Sequence, residues 1–167
     1  GDRMNKKNDF KVMSLGALAM DIVLEASSLP QEDGFGLITN EKSVPGGSAA
    51  NVSVALTKIG AKVWQVGKIG DDDHGKIFRA DLMKQGIQTE FLLEKPQGVT
   101  LHTYIITTPQ GEHCIFANKG DCVFDLKASE LPINCMEGMD CFYNDLFSDN
   151  AALWLAEEAA KKSVPVV

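Results

Sequence analysis

A chain of 167 residues, 44% hydrophobic and 23% charged, is long enough to bury one sizeable core and too apolar to remain unfolded. Its 23 acidic and 16 basic residues leave a formal charge of −7, and the basic residues are scattered rather than gathered into a stripe, which argues against nucleic acid as a partner. No apolar run nears the ~20 residues that span a bilayer, and no hydrophobic signal core follows the N-terminus, so no membrane contact and a cytoplasmic location are expected.

Gly1 to Arg3 ahead of Met4 read as a cloning remnant, and residues 1–9 as a tail outside the fold. Phe10 to Leu18 is apolar, ends near Gly16 and predicts a first buried strand. Leu29 to Pro45, rich in Gly, Pro and polar residues, suits short exposed strands or a loop. A helix follows Gly46-Gly47, with Val52, Ala55, Leu56 and Ile59 at helical spacing as its expected apolar face and Gly60 as a left-handed C-terminal cap.

Lys62 to Ile69 predicts a second strand, and Gly70 to Gly75 leads into a helix that carries Ile77, Phe78, Leu82 and Met83 and closes at Gly86. Asp71 to Asp73 stand at the positive end of that helix; they suit a helix N-terminus without a ligand, and the other reading is Mg²⁺ binding. From Gly98 a β-branched run, the turn Pro109-Gln110-Gly111 and the run to Asn118 predict a hairpin standing apart from a parallel sheet. Leu101, Tyr104 and Phe116 in it could pack on a bound ligand or bury the hairpin's inner face.

Met139 to Phe147 then predicts a strand, Asp149 a cap, Ala151 to Lys162 a helix, and Val164 to Val167 the start of another buried strand. This alternation makes an α/β fold with parallel strands. Because no crossover helix follows Val164 to Val167, the chain is expected to be truncated within a fold unit. The four cysteines show no C-x-x-C spacing and the three histidines no paired motif, so reduced thiols and no metal site are expected.

The stretch VPGGSAANVSVALTKIG (44–60) carries the chemical question. Gly46 and Gly47 at a helix entrance allow positive φ and close approach of a ligand to the main chain; they also suit a bare tight turn with Ser48 as cap. Asn51 in the first helical turn has poor helix propensity and an amide that both donates and accepts, which suits a polyol. Neither the G-x-x-x-x-G-K-[ST] phosphate loop nor a G-x-G-x-x-G fingerprint after the first strand is present.

Gly46 to Ser53, then Gly60 and Gly70, resemble in composition and spacing the first motif of the ribokinase/PfkB family of carbohydrate and nucleoside kinases. Asp21, just beyond the first strand, resembles the family's substrate aspartate, and Gly70-Asp71-Asp72-Asp73-His74-Gly75 its G-x-D-x-x-G turn. The resemblance runs from about Phe10 to the end, making 10–167 the N-terminal part of a PfkB-type kinase domain.

It implies a Rossmann-like core with a small β-sheet lid drawn from 29–45 and 98–118, a homodimer through that lid, ATP and Mg²⁺ as cofactors, and a small sugar or a nucleoside as acceptor. By the same resemblance Asp21, Gly46, Gly47, Ser48 and Asn51 would bind the substrate. Ribose-specific members typically carry lysine at Ser48 and asparagine at Ala19, which turns the expectation away from ribose. The family's G-A-G-D segment with the catalytic base is absent, so no catalytic residue is expected in this chain, an isolated fragment would be inactive, and a non-catalytic sugar-binding relative stands as an alternative to a kinase.

Overall fold

The computed structural model describes residues 9–145 and 149–167, the side chain of Asp149 excepted. In chain order the elements are β1 (Lys11–Leu15), β2 (Ala19–Ala26), β3 (Ile38–Gly46), α1 (Ser48–Lys58), β4 (Lys62–Gly70), α2 (Asp73–Lys84), β5 (Leu92–Lys95), β6 (His102–Thr107), β7 (His113–Asn118), β8 (Cys141–Asn144) and α3 (Asp149–Lys161). They form two sheets. The first has the order β5-β4-β1-β8 and is parallel throughout. The second, β3-β2-β6-β7, is mixed: β3 and β7 run antiparallel to their neighbours, and β2 and β6 run parallel to each other.

Side-chain alternation along the central strands builds a core on each face of the parallel sheet. Met13, Leu15, Val66 and Phe142 point to one face and meet Ala151, Leu155 and Ala159 of α3. Ile69 and Leu92 point to the other, against Ala49 and Ala50 of α1 and Phe78 and Leu82 of α2. The result is a helix–sheet–helix sandwich with a small sheet attached, the α/β architecture expected from the sequence.

Strand β2 lay outside the expected lid segments. Its sequence, AMDIVLEA, mixes helix formers with two acids, but it is held on both sides, by β3 and by β6, and such pairing outweighs weak intrinsic preference. Asp21, just beyond the first strand, therefore stands inside a lid strand. The other lid strands fall where expected, β3 as a single exposed strand ending at Gly46, and β6 and β7 as a hairpin closed by Thr108 N–H to Glu112 O (3.0 Å) and Gly111 N–H to Thr108 O (3.0 Å).

The buried face of α1 also differs from expectation. Ala49, Ala50 and Ser53 meet the sheet, while Ala55 is exposed and Ile59 is 82% exposed. Small side chains let the helix lie close enough for polar locks: Ser53 Oγ donates to Gln65 Oε1 (2.6 Å), and the Gln65 amide donates to Ser14 O (2.9 Å) and Val66 O (3.0 Å). A fully buried glutamine is tolerable only when so partnered. Gly60 and Gly86 take the positive φ values, 102° and 84°, expected after α1 and α2.

At the C-terminus, Val166 bridges Phe142 in parallel, with Phe142 N–H to Pro165 O at 2.8 Å and Asn144 N–H to Val167 O at 2.9 Å. In place of the expected buried strand there is an isolated parallel bridge beside β8; Val164 is buried, whereas Val166 is 48% and Val167 71% exposed. The capping role expected of Asp149 lies outside the described side chains. All four cysteines are free, and burial pushes the thiols of Cys122 and Cys135 up to about 12 and about 11.

Candidate substrate site

The parallel sheet fixes where a ligand can lie. From β1 the chain moves one way to β4 and β5, and from there it crosses back to β8 and on to Val166 on the opposite side. The order therefore reverses between β1 and β8, and crevices open at the carboxyl ends of strands at such a switch point. Leu15 and Asn144 are the paired last residues there, and α1 begins beside them.

Three glycines shape the crevice. A Cβ at Gly16 would stand 2.0 Å from Asp145 Oδ1, so the strand end and that carboxylate can meet only without a side chain. Gly47, the residue before α1, has φ of 92°, and a Cβ there would lie 2.3 Å from Ala17 O. Gly46 closes β3 opposite Ala19, and its added Cβ would lie 2.2 Å from Asp21 Oδ2. The two glycines thus have separate reasons: Gly47 makes the turn expected of the pair, and Gly46 leaves room for the Asp21 carboxylate.

Ser48 does not cap α1. Gly47 occupies the cap position and no side chain accepts from the helix, while the Ser48 hydroxyl donates to Asp145 Oδ2, which also accepts from Ala17 N–H at 3.0 Å. Asp145 was not singled out in the sequence. The signal that could have found it is its place directly after an apolar strand, at the carboxyl end where α/β sheets hold their ligands.

Asp21 sits on β2, where its Oδ1 accepts from Thr103 Oγ1 at 2.7 Å. Asn51 is exposed one turn into α1; its backbone N–H reaches Gly47 O (3.0 Å), and among the described residues no side chain partners its amide. Asp21, Gly46, Gly47 and Ser48 are therefore contiguous around the crevice, with Asn51 on the next turn of the same helix.

Of the acidic run, Asp72 is committed to structure. Its Oδ1 accepts from Gly75 N–H (2.9 Å) and Thr100 Oγ1 (2.6 Å), and its Oδ2 from Thr100 N–H (2.9 Å). Burial opposes its charge, but these donors outweigh it and hold the carboxyl below its ordinary value. Tyr104 and Phe116 are cross-strand neighbours one position along from Thr103, hence on the lid face opposite Asp21, and Tyr104 meets His102 edge to face at 5.6 Å. They do not line the crevice. Among the described residues no three His, Cys, Asp or Glu side chains gather as a metal-binding group, so the Mg²⁺ implied by the resemblance finds no ligand set in them.

A polar crevice at the switch point of a parallel sheet, beside a small mixed sheet, defines an α/β protein of the ribokinase fold. The chain belongs to the pfkB family of carbohydrate kinases, whose family model matches residues 9–137. It is 34% identical to an ATP-dependent ribose-1-phosphate kinase from Halopiger xanaduensis over 66% of this chain and 37% of that protein. It is 32% identical to the ribokinase of Bacillus subtilis over 64% of this chain and 36% of the relative. The fold matches that of Arabidopsis thaliana ribokinase, solved with ribose and ATP, at a TM-score of 0.80 and 19% identity, covering 95% of this chain and 52% of that one. The chain thus spans a little over a third of the length of these curated relatives.

Proposed function

We propose that the protein is an ATP-dependent kinase that phosphorylates a hydroxyl of a small sugar, and that this chain supplies the sugar-binding part. The observation that carries this reading is the Asp21 carboxylate, with one oxygen over the side-chain-free Gly46 where β3 leads into α1. An ionised carboxylate only accepts, so it selects a ligand rich in O–H donors. Gly46 and Gly47 offer main chain at contact distance, Ser48 and Asp145 a second polar pair, and Asn51 an amide that both donates and accepts.

In phosphoryl transfer, positioning and electrostatics supply most of the acceleration. The residues of this chain hold and orient the acceptor, and the lid, β2, β3, β6 and β7, excludes water that would otherwise compete as acceptor. ATP would donate the phosphoryl group, and the described residues of this chain supply no ligand set for a Mg²⁺ ion that would offset its charge. The base and the nucleotide contacts are assigned to the part of the relatives' length that this chain does not span.

A nucleoside is the second reading, favoured by Val23, Val44 and Ile105, which stand on the Asp21 face of the lid and could receive an apolar base. Free cysteines suit a reducing cytoplasm, and no described helix is long and apolar enough to cross a membrane. Exposed Ile115 and Phe116 on β7, with Phe35 and Leu37 ahead of β3, support a homodimer through the lid. Thermal-shift screening of the protein expressed from its full reading frame tests the sugar reading. A true substrate at about a hundred times its Kd adds about 2.7 kcal/mol. Stabilisation by nucleosides and by no sugar would transfer the assignment to the second reading.

A further inference from the structure

The two oxygens of Asp21 have different surroundings. Oδ1 accepts from Thr103 Oγ1 at 2.7 Å, across the register that pairs Asp21 with Thr103 in β2 and β6. Oδ2 lies where a Cβ on Gly46 would come within 2.2 Å. On the same lid face Val44 stands opposite Asp21, Ala117 opposite Thr103, and Val23 with Ile105 one step outward; Lys42, opposite Val23, shares that face, is exposed, and makes no ion pair with Asp21 among the described residues. Among the described residues Thr103 is thus the side-chain donor that holds this carboxylate.

We infer that Thr103 is a positioning residue of the substrate site: its hydroxyl turns Oδ1 into the lid and leaves Oδ2, over Gly46, as the acceptor presented to a ligand hydroxyl. This rests on the proposed sugar-kinase reading. Rotation about the last torsion of an aspartate is broad and roughly two-fold, so an unanchored carboxylate samples orientations that a bound ligand must then restrict. The Thr103 bond removes that freedom before binding. Because β2 and β6 are neighbouring strands of the lid, it also ties the orientation of Asp21 to an intact lid sheet.

The test uses the full-length enzyme with D-fructose, D-ribose and adenosine as probes, comparing wild type with Thr103→Val, which keeps the shape and loses the donor, and Thr103→Ser, which keeps the donor. Thr103→Val is expected to raise KM and the calorimetric Kd about tenfold with kcat held within about twofold, and Thr103→Ser to return both to near the wild-type values. Thr103→Ala gives the same readout should the valine variant fail to fold. Wild-type affinity in Thr103→Val, or a serine variant as weak as the valine one, would overturn the inference while leaving the sugar site standing. Failure of the wild type to bind any of the probes would instead overturn both.

Discussion

Gly46 and Gly47 are adjacent, yet they are glycine for different reasons, and substitution separates them. Alanine at Gly47 meets both a φ of 92° and the Ala17 carbonyl oxygen, so Gly47→Ala is expected to cost about 2–4 kcal/mol of stability, read by denaturant unfolding. Alanine at Gly46 meets the tip of the Asp21 side chain, so Gly46→Ala is expected to weaken sugar binding about tenfold or more with a smaller loss of stability. Equal effects of the two on both readouts would contradict this division. The glycine pair and Asn51 stand out in the sequence as a candidate site because their composition is costly in an ordinary helix start. Thr103 does not, because a threonine in a β-branched run is what a strand would use anyway. Ser48 suits either a cap or a substrate contact by sequence, and its bond to Asp145, almost a hundred residues away along the chain, is not visible in local spacing.

Among the elements, the junction of α2 with the lid depends on charge. Asp72 caps α2 and, through the N–H and hydroxyl of Thr100, fixes the approach to β6; Thr100 Oγ1 in turn accepts from Gly70 N–H at 2.9 Å. With the folded-state value of Asp72 lowered, the unfolded chain binds the proton more readily. Its contribution to stability is therefore present above the ordinary carboxylate range and lost as pH falls through the lowered value. Replacing it by alanine is expected to cost about 0.5–2 kcal/mol at neutral pH, and the difference from wild type should shrink on acidification below about pH 4, measured by urea unfolding across pH. A difference constant from pH 7 to pH 3 would rule the mechanism out.

The elements legible from local pattern were those with one clear period: β1, β4, α2 and the β6–β7 hairpin. For α1 the periodic bulky residues pointed to the wrong face, because close packing against β1 and β4 selects Ala49, Ala50 and Ser53. Bulk marks burial only where there is space to fill. Strand β2 was hidden for the complementary reason, since its partners β3 and β6 come later in the chain and only their pairing makes it a strand.

For the whole molecule, a parallel sheet with a core on each face sets the crevice, and the attached lid brings Asp21 to it. The exposed apolar side chains of that lid, Phe116 at 63% and Ile115 at 57% among them, lead to the expectation of a dimer by light scattering, reduced to monomer by charged substitutions at both positions. A monomeric wild type would remove the dimer proposal without touching the site. The central claim is that Asp21 receives a hydroxyl of a small sugar. Its most direct test is calorimetric titration of the full-length protein with the sugar that most stabilises it, comparing wild type with Asp21→Asn. The account predicts saturable one-site binding to the wild type and a loss of about a hundredfold in the variant, the scale of a charge-assisted hydrogen bond removed. Equal affinity of the two proteins would contradict it.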